Sequence, residues 1–103
     1  MDKKTQFNSW LLIEFDYGKN SLDDLHLFED ELERLINPSG LGELDGDDVA
    51  VDMSDGSYWI VCNDPLKVYE LIKDSLAKTD LVKIKEVKKR EKNEEVYTTI
   101  FKI

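Results

Sequence analysis

Residues 40–48 form the segment richest in groups that could bind a ligand. The segment reads Gly-Leu-Gly-Glu-Leu-Asp-Gly-Asp-Asp, and its Gly and Asp content predicts a loop. Carboxylates at alternating loop positions are ligands for a hard cation such as Ca²⁺ or Mg²⁺. The calcium-loop pattern is not matched: with Asp45 in first place, Ala50 replaces the required Gly and Gly56 the bidentate Glu. We therefore assign no metal ligands, and a cation- or small-ligand-sensing regulatory domain that uses this loop is the alternative hypothesis.

Two further side chains have reactive groups, but neither has partners in the sequence. His26 lies between Leu25 and Leu27 in a predicted helix, and a general base also needs an orienting group and a substrate proton within reach. Cys62 ends an apolar segment, where cysteine is usually a small core side chain. With no triad and no metal-spaced His and Cys cluster, we predict that the chain is not an enzyme and has no cofactor.

The charge of the chain is strongly negative and unevenly distributed. There are 23 acidic and 14 basic residues, a net charge of −9, and residues 14–55 hold fourteen acids but only two bases. Excess acid disfavours contact with nucleic-acid phosphates. Tyr58 and Trp59 lie in a segment without the Lys/Arg-Gly-aromatic signature of RNA-recognition modules. The charge instead predicts a surface that attracts a basic protein.

Hydrophobic periodicity predicts two helices and five strands. Apolar residues alternate along residues 9–16, and they recur every three or four positions after Ser21, a predicted N-cap. Asp-Gly at positions 55 and 56 predicts a hairpin turn. The predicted elements in chain order are strand 9–16, helix 22–36, strand 49–53, strand 58–62, helix 65–78, strand 81–89 and strand 95–103.

This order predicts one α+β domain over residues 1–103. It matches a ferredoxin-like split βαββαβ sandwich with an additional C-terminal strand, in which both helices cover one face of an antiparallel sheet. No apolar run reaches the ~20 residues that cross a bilayer, and the first residues lead into no signal-peptide core. The single cysteine excludes an internal disulfide. We therefore expect a cytoplasmic protein without membrane contact.

The sheet face that the helices leave open is predicted to be partly apolar. If the alternate residues of the first strand face the helices, Trp10, Leu12 and Glu14 face away from them. Either Tyr58 or Trp59 of the third strand joins this group. Such a patch would exceed what a monomer normally exposes, so we expect it to be covered. The cover is a second copy, a different protein, or the chain's own terminal segments.

Three segments resemble a known group of proteins. They are Ile13-Glu14-Phe15-Asp16-Tyr17-Gly18, the acidic first helix, and residues 40–48. Through them, the chain from Leu11 to about Leu76 resembles a poorly characterised family of small bacterial ferredoxin-like proteins. Some of these are similar to immunity proteins, which neutralise a toxin by binding it. The basic C-terminal hairpin of this chain is longer than in the family.

These observations lead to one functional hypothesis. The chain is expected to be a non-catalytic, acidic protein-interaction module, with an immunity-type inhibitor of a basic partner as its most specific form. The partner is another protein or a second copy of the chain. The predicted partner-binding residues are Trp10, Leu12, Glu14, Asp45, Asp47, Asp48, Asp52 and Trp59.

Overall fold

The computed structural model describes residues 7–102 and has an α+β architecture. Five strands form one antiparallel sheet, and two α-helices pack against it. A short 3-10 helix follows the first α-helix. The elements in chain order are β1 (Ser9–Asp16), α1 (Asp23–Ile36), the 3-10 helix (Asn37–Ser39), β2 (Gly42–Val49), β3 (Asp55–Cys62), α2 (Pro65–Lys78), β4 (Lys83–Arg90) and β5 (Thr98–Lys102).

The strands lie in the order β2-β3-β1-β4-β5, so β1 is the central strand. Its residues Leu11, Ile13 and Phe15 are fully buried, as expected for alternate positions that face a core. They pack with Tyr58 and Ile60 of β3 and with the apolar faces of both helices. The hydrophobic core therefore lies between the helices and one face of the sheet.

The two helices cover different parts of that face. α1 packs against β2, and α2 packs against β1 and β4. α2 begins as predicted, because Asp64 caps it by accepting a hydrogen bond from the Lys67 N–H and Pro65 occupies its first position. The predicted N-cap of α1 was wrong: the helix begins at Asp23, Leu22 occupies the N-cap position and no side chain caps the helix. The Ser21 hydroxyl accepts a 3.3 Å hydrogen bond from the Asp23 N–H just before it.

The α+β class, the antiparallel five-stranded sheet and the two helices are confirmed. The five-strand order is not the four-strand order that defines a ferredoxin-like fold, because β5 lies beyond β4. The structure thus supports the coarser fold class. Among residues 7–102, no helix has the length and apolar character that spanning a membrane requires.

The prediction was wrong between residues 40 and 57. Residues 40–48 are not a loop: most of them belong to β2, which precedes the predicted strand. Val51, which lies in the predicted strand 49–53, is fully exposed in the β2–β3 turn. Gly and Asp suggested a loop, but Gly42 is required by close packing, since a Cβ there would lie 2.8 Å from the Val61 carbonyl oxygen.

Gly56 was also assigned the wrong role. It lies inside β3 rather than at a turn, and Met53 takes the left-handed conformation instead, with φ 59°. A Cβ on Gly56 would clash with the backbone carbonyl oxygen of Asp48 and would lie 2.8 Å from Cζ of Phe15. This glycine is therefore needed because both the β2 backbone and the Phe15 ring approach its Cα closely.

Candidate functional site

Ten of the 23 acidic residues lie on two neighbouring elements, α1 and the edge strand β2 that packs beside it. α1 buries Leu25, Phe28 and Leu32, and its mostly acidic remaining positions face solvent. Residues 23–49 contain ten acidic residues and one arginine. We call the side formed by α1 and β2 the acidic edge. Its carboxylates are Asp23, Asp24, Glu29, Asp30, Glu31, Glu33, Glu43, Asp45, Asp47 and Asp48.

The carboxyl groups of Glu29 of α1 and Asp47 of β2 lie close enough to share a hydrogen bond. Two carboxyl groups form such a bond only when one of them holds a proton. Burial, followed by the hydrogen bond and charge of Asp47, raises the pKa of Glu29 to about 8, and the charges of Glu33 and Asp30 add to this. At neutral pH the pair therefore carries one negative charge instead of two.

Tyr58 fixes the elements that carry this pair. It lies directly opposite Asp47 in the β2–β3 ladder, and its hydroxyl donates a 2.7 Å hydrogen bond to the carbonyl oxygen of Leu25. Leu25 precedes Glu29 by one turn of α1, so the bond ties the helix to β3 close to the pair. Burial raises the pKa of Tyr58, and the charges of Glu29 and Asp47 raise it further.

The acidic edge has few cationic partners within residues 7–102. The salt bridges of α1 in this range are Lys19–Asp24 and Arg34–Glu31, the latter at 4.0 Å. Within the same range, neither Asp47 nor Asp48 forms a salt bridge with a basic side chain. Much of the negative charge on this side is therefore uncompensated, which is the condition for attracting a basic partner.

The open sheet face is partly closed by the chain itself. The guanidinium of Arg90 lies 4.3 Å from the ring centre of Trp10 and 5.5 Å from that of Tyr97. The Tyr97 ring, from the segment between β4 and β5, also meets the Trp59 ring edge-on, with centres 6.2 Å apart. Leu12 is only 7% exposed. The structure thus places Trp59 on the open face and Tyr58 in the core, and it leaves Leu12 little surface for a partner.

Three acidic residues of the open face, Glu14, Asp16 and Asp55, are paired with lysines of β4. The Lys88 ammonium lies 2.7 Å from a carboxylate oxygen of Glu14. Lys85 lies 3.6 Å from a carboxylate oxygen of Asp16 and 3.9 Å from one of Asp55. These pairs compensate charge on the open face, in contrast to the acidic edge.

The eight predicted partner-binding residues therefore fall into three places. Trp10, Leu12, Glu14 and Trp59 share the open face, and the three aspartates at positions 45, 47 and 48 lie on β2. Asp52 is separate, in the exposed β2–β3 turn, where its carboxylate accepts a 3.0 Å hydrogen bond from the Ser54 N–H. Hydrogen bonds from the Ser54 side chain and backbone lower the pKa of Asp52.

The two reactive side chains considered above lie in very different surroundings. His26 is exposed on α1. Cys62 is fully buried, and burial, with smaller effects of Asp64 and Glu91, raises the pKa of its thiol to about 12. The thiol is therefore protonated at neutral pH and out of contact with solvent.

Reasoning from sequence missed the Glu29–Asp47 pair and the contacts of Arg90 and Tyr97. The pair was missed because Asp47 was assigned to a loop, away from α1. In the structure, buried Gly42 and Leu44 alternate with more exposed residues, as in a strand. The sequence offered only a weak signal for this pattern, because Leu44 is the one large apolar residue of the segment 42–46.

Within the described part of the chain, no group of three or more His, Cys, Asp or Glu side chains is arranged to hold a metal ion. No protein-family model matches the chain, and neither a curated protein nor a solved structure is significantly similar to it.

Proposed function

We propose that this chain is a non-catalytic interaction module whose acidic edge binds a basic partner protein, as an immunity-type inhibitor does. The observation that supports this proposal is the concentration of carboxylates on two neighbouring elements, where Asp47 and Asp48 form no salt bridge with a basic side chain within residues 7–102. The pKa of Glu29 is raised there, although its side chain is only partly buried. Structural ion-pair networks instead place cations beside their carboxylates, as Lys88 does for Glu14.

The Glu29–Asp47 pair suggests how a partner is held. A lysine or arginine placed beside the pair favours the ionised form of Glu29 and so releases the shared proton. The partner then gains a second negative charge to bind. The wider acidic edge contributes long-range attraction, which raises the association rate and weakens as salt increases.

A relationship to ferredoxin-like proteins and a cytoplasmic location are further parts of the proposal. The first is supported by two helices on one sheet face and by the adjacency of β3, β1 and β4. The second is supported by Cys62, a free and buried thiol in a chain with one cysteine.

Affinity capture with matched variants tests the proposal. The immobilised wild-type protein is exposed to lysate of the source organism at low and high salt. The test variant carries Asp30→Asn, Glu33→Gln and Asp48→Asn on the acidic edge. The control carries Glu70→Gln, Asp74→Asn and Asp80→Asn, which change the net charge equally but lie elsewhere.

We expect a Lys- and Arg-rich protein to bind the wild type and the control at low salt, and to be released at high salt. The acidic-edge variant should lose it. The captured partner is then purified, and calorimetry measures its affinity for the wild type, the acidic-edge variant and the control. Equal binding to the test and control variants, or the absence of any salt-sensitive partner, would contradict the proposal.

The cation-sensing alternative was based on a loop at residues 40–48, but most of these residues belong to strand β2. Asp47 lies opposite Tyr58, which faces the helices, whereas Asp48 lies opposite Ser57 on the other face. Their carboxylates thus diverge. A thermal-shift series with Ca²⁺, Mg²⁺ and Mn²⁺ decides the matter, because a bound cation must raise the melting temperature.

A further inference from the structure

Two side chains of the open sheet face each have a buried polar atom without a hydrogen-bond partner in the described part of the chain. The atoms are Oε2 of Glu43 and Nε of Arg90. Within residues 7–102, neither side chain forms a salt bridge. Buried polar groups in folded proteins are nearly always paired, and an unpaired one destabilises the fold. Each of these groups is therefore stabilised by an added contact with a group of opposite charge.

Glu43 and Arg90 lie at the two ends of one cross-strand row. Glu43 of β2 lies opposite Val61 of β3. Val61 lies opposite Trp10 of β1, and Trp10 lies opposite Arg90 of β4. Residues paired in this way point to the same face of a sheet, and neighbouring strands are about 4.8 Å apart. The acid and the base are thus three strands apart, on opposite sides of a centre between Val61 and Trp10.

The charges of the whole strands follow the same arrangement. β2 has four acidic residues and no basic one, whereas β4 has five basic residues and one acidic residue. In the order β2-β3-β1-β4-β5, these two strands lie on either side of the β3–β1 pair. The sheet therefore carries opposite charges at equal distances from a line that runs between β3 and β1.

This arrangement makes the open face complementary to a second copy of itself. If two copies meet face to face across a two-fold axis along that line, β2 of each copy lies over β4 of the other. Glu43 of each copy then lies over Arg90 of the other. A contact of this kind uses the same patch on both copies and closes at a dimer. Two sheets commonly pack in this way, with nearly aligned strands and a spacing of about 10 Å.

The middle of the face provides the apolar surface that such a contact requires. Trp10 and Trp59 are partly exposed there. The Arg90 guanidinium lies between Trp10 and Tyr97, at 4.3 and 5.5 Å from the two ring centres. Trp, Tyr and Arg are the residue types most enriched at the energetic centres of interfaces. Because the two rings already hold the guanidinium in place, it loses little freedom when a carboxylate binds it.

We propose that two copies of this chain associate through their open sheet faces, with Glu43 of each copy paired with Arg90 of the other. The contact satisfies both buried groups, covers the exposed tryptophan surface and brings the acidic β2 over the basic β4. The helix α1 and the Glu29–Asp47 pair lie on the opposite side of the sheet. The proposal therefore does not depend on the function proposed above.

Sedimentation equilibrium and NMR of the wild type give the first test. The average mass should rise with protein concentration from 12.0 kDa towards twice that value. The indole N–H signals of Trp10 and Trp59 should shift over the same concentration range. The amide signal of Asp74, on the exposed side of α2, should not shift.

Charge reversal tests the pairing itself. Glu43→Arg places two arginines against each other, and Arg90→Glu places two carboxylates against each other, so each variant alone should associate at least about tenfold more weakly. An equal mixture of the two variants should form a heterodimer, because every pair across the interface is then attractive. Asp74→Arg and Lys67→Glu make the same charge changes at exposed positions of α2 and should dimerise as the wild type does.

Several results would overturn the proposal. They are a wild type that stays monomeric at every soluble concentration, a mixture of the two reversed variants without heterodimer, and controls that weaken association as much as the test variants do. Growth beyond the dimer would also overturn it, because that growth requires a head-to-tail contact. If circular dichroism shows that a reversed variant is unfolded, the concentration-dependent tryptophan signals of the wild type decide the question.

Discussion

Replacement of Glu29 by glutamine should change how the stability of the protein depends on pH. In the wild type, the hydrogen bond between Glu29 and Asp47 requires a proton. A glutamine amide donates to the Asp47 carboxylate at every pH and brings no charge. The variant should therefore keep the bond in alkaline solution, where the wild type loses it.

The direction of the effect follows from the raised pKa of Glu29. The folded protein binds the proton more tightly than the unfolded chain, so this stability is fully present below the unfolded pKa of 4.5. It is lost as the pH rises through about 8. The wild type should thus lose stability relative to Glu29→Gln between these two values.

The size of the effect is bounded by the pKa difference. A shift from 4.5 to about 8 would correspond to roughly 5 kcal/mol at about 1.4 kcal/mol per unit if the carboxyl were fully buried. Glu29 is only partly buried, and solvent screens its interactions. We therefore expect a change in the free energy of unfolding of about 1–2 kcal/mol across this range.

Urea unfolding followed by tryptophan fluorescence at acidic, neutral and alkaline pH measures this change. Asp74→Asn serves as the control because it removes one charge from exposed α2. The difference in stability between Glu29→Gln and the wild type should grow with pH, whereas that of the control should stay nearly constant. If the Glu29→Gln and wild-type curves remain parallel from pH 5 to pH 9, the proton-sharing interpretation is refuted.

Three further predictions concern the packing of the chain. Tyr97→Ala should expose the open face, shift the tryptophan emission to longer wavelength and destabilise the fold by about 1–2 kcal/mol. The control Val96→Ala changes an exposed neighbouring position and should have none of these effects. Gly56→Ala should lower the free energy of unfolding by about 1–3 kcal/mol because its Cβ would meet the Asp48 carbonyl oxygen and the Phe15 ring; no loss in urea titration would argue against these close contacts. Cys62 should resist a thiol reagent at pH 8 until urea unfolds the protein, because burial keeps the thiol protonated; rapid labelling of the native protein would contradict its buried position.

The sequence predicted the elements whose signals are local. β1 and α2 have the predicted bounds, since strict alternation defines the first and an Asp-Pro start defines the second. The bounds of β2 were predicted wrongly because its amino-acid composition favours a loop while its pairing in the sheet requires a strand. Gly42 and Gly46 favour a loop by composition, and only pairing with β3 makes the segment a strand. Because the bounds of β2 were predicted wrongly, the Glu29–Asp47 pair was not predicted. This pair forms where the edge strand β2 packs against α1, and residue spacing along the chain does not reveal such a contact.

The C-terminal hairpin, β4 and β5, sets the charge balance of the open face. Its lysines compensate acids of that face, and Arg90 and Tyr97 cover part of the aromatic surface there. Residues 83–102 contain seven basic and four acidic residues, against ten acids and one arginine in residues 23–49. A basic partner of the kind proposed would therefore be attracted to the acidic edge and repelled from the hairpin.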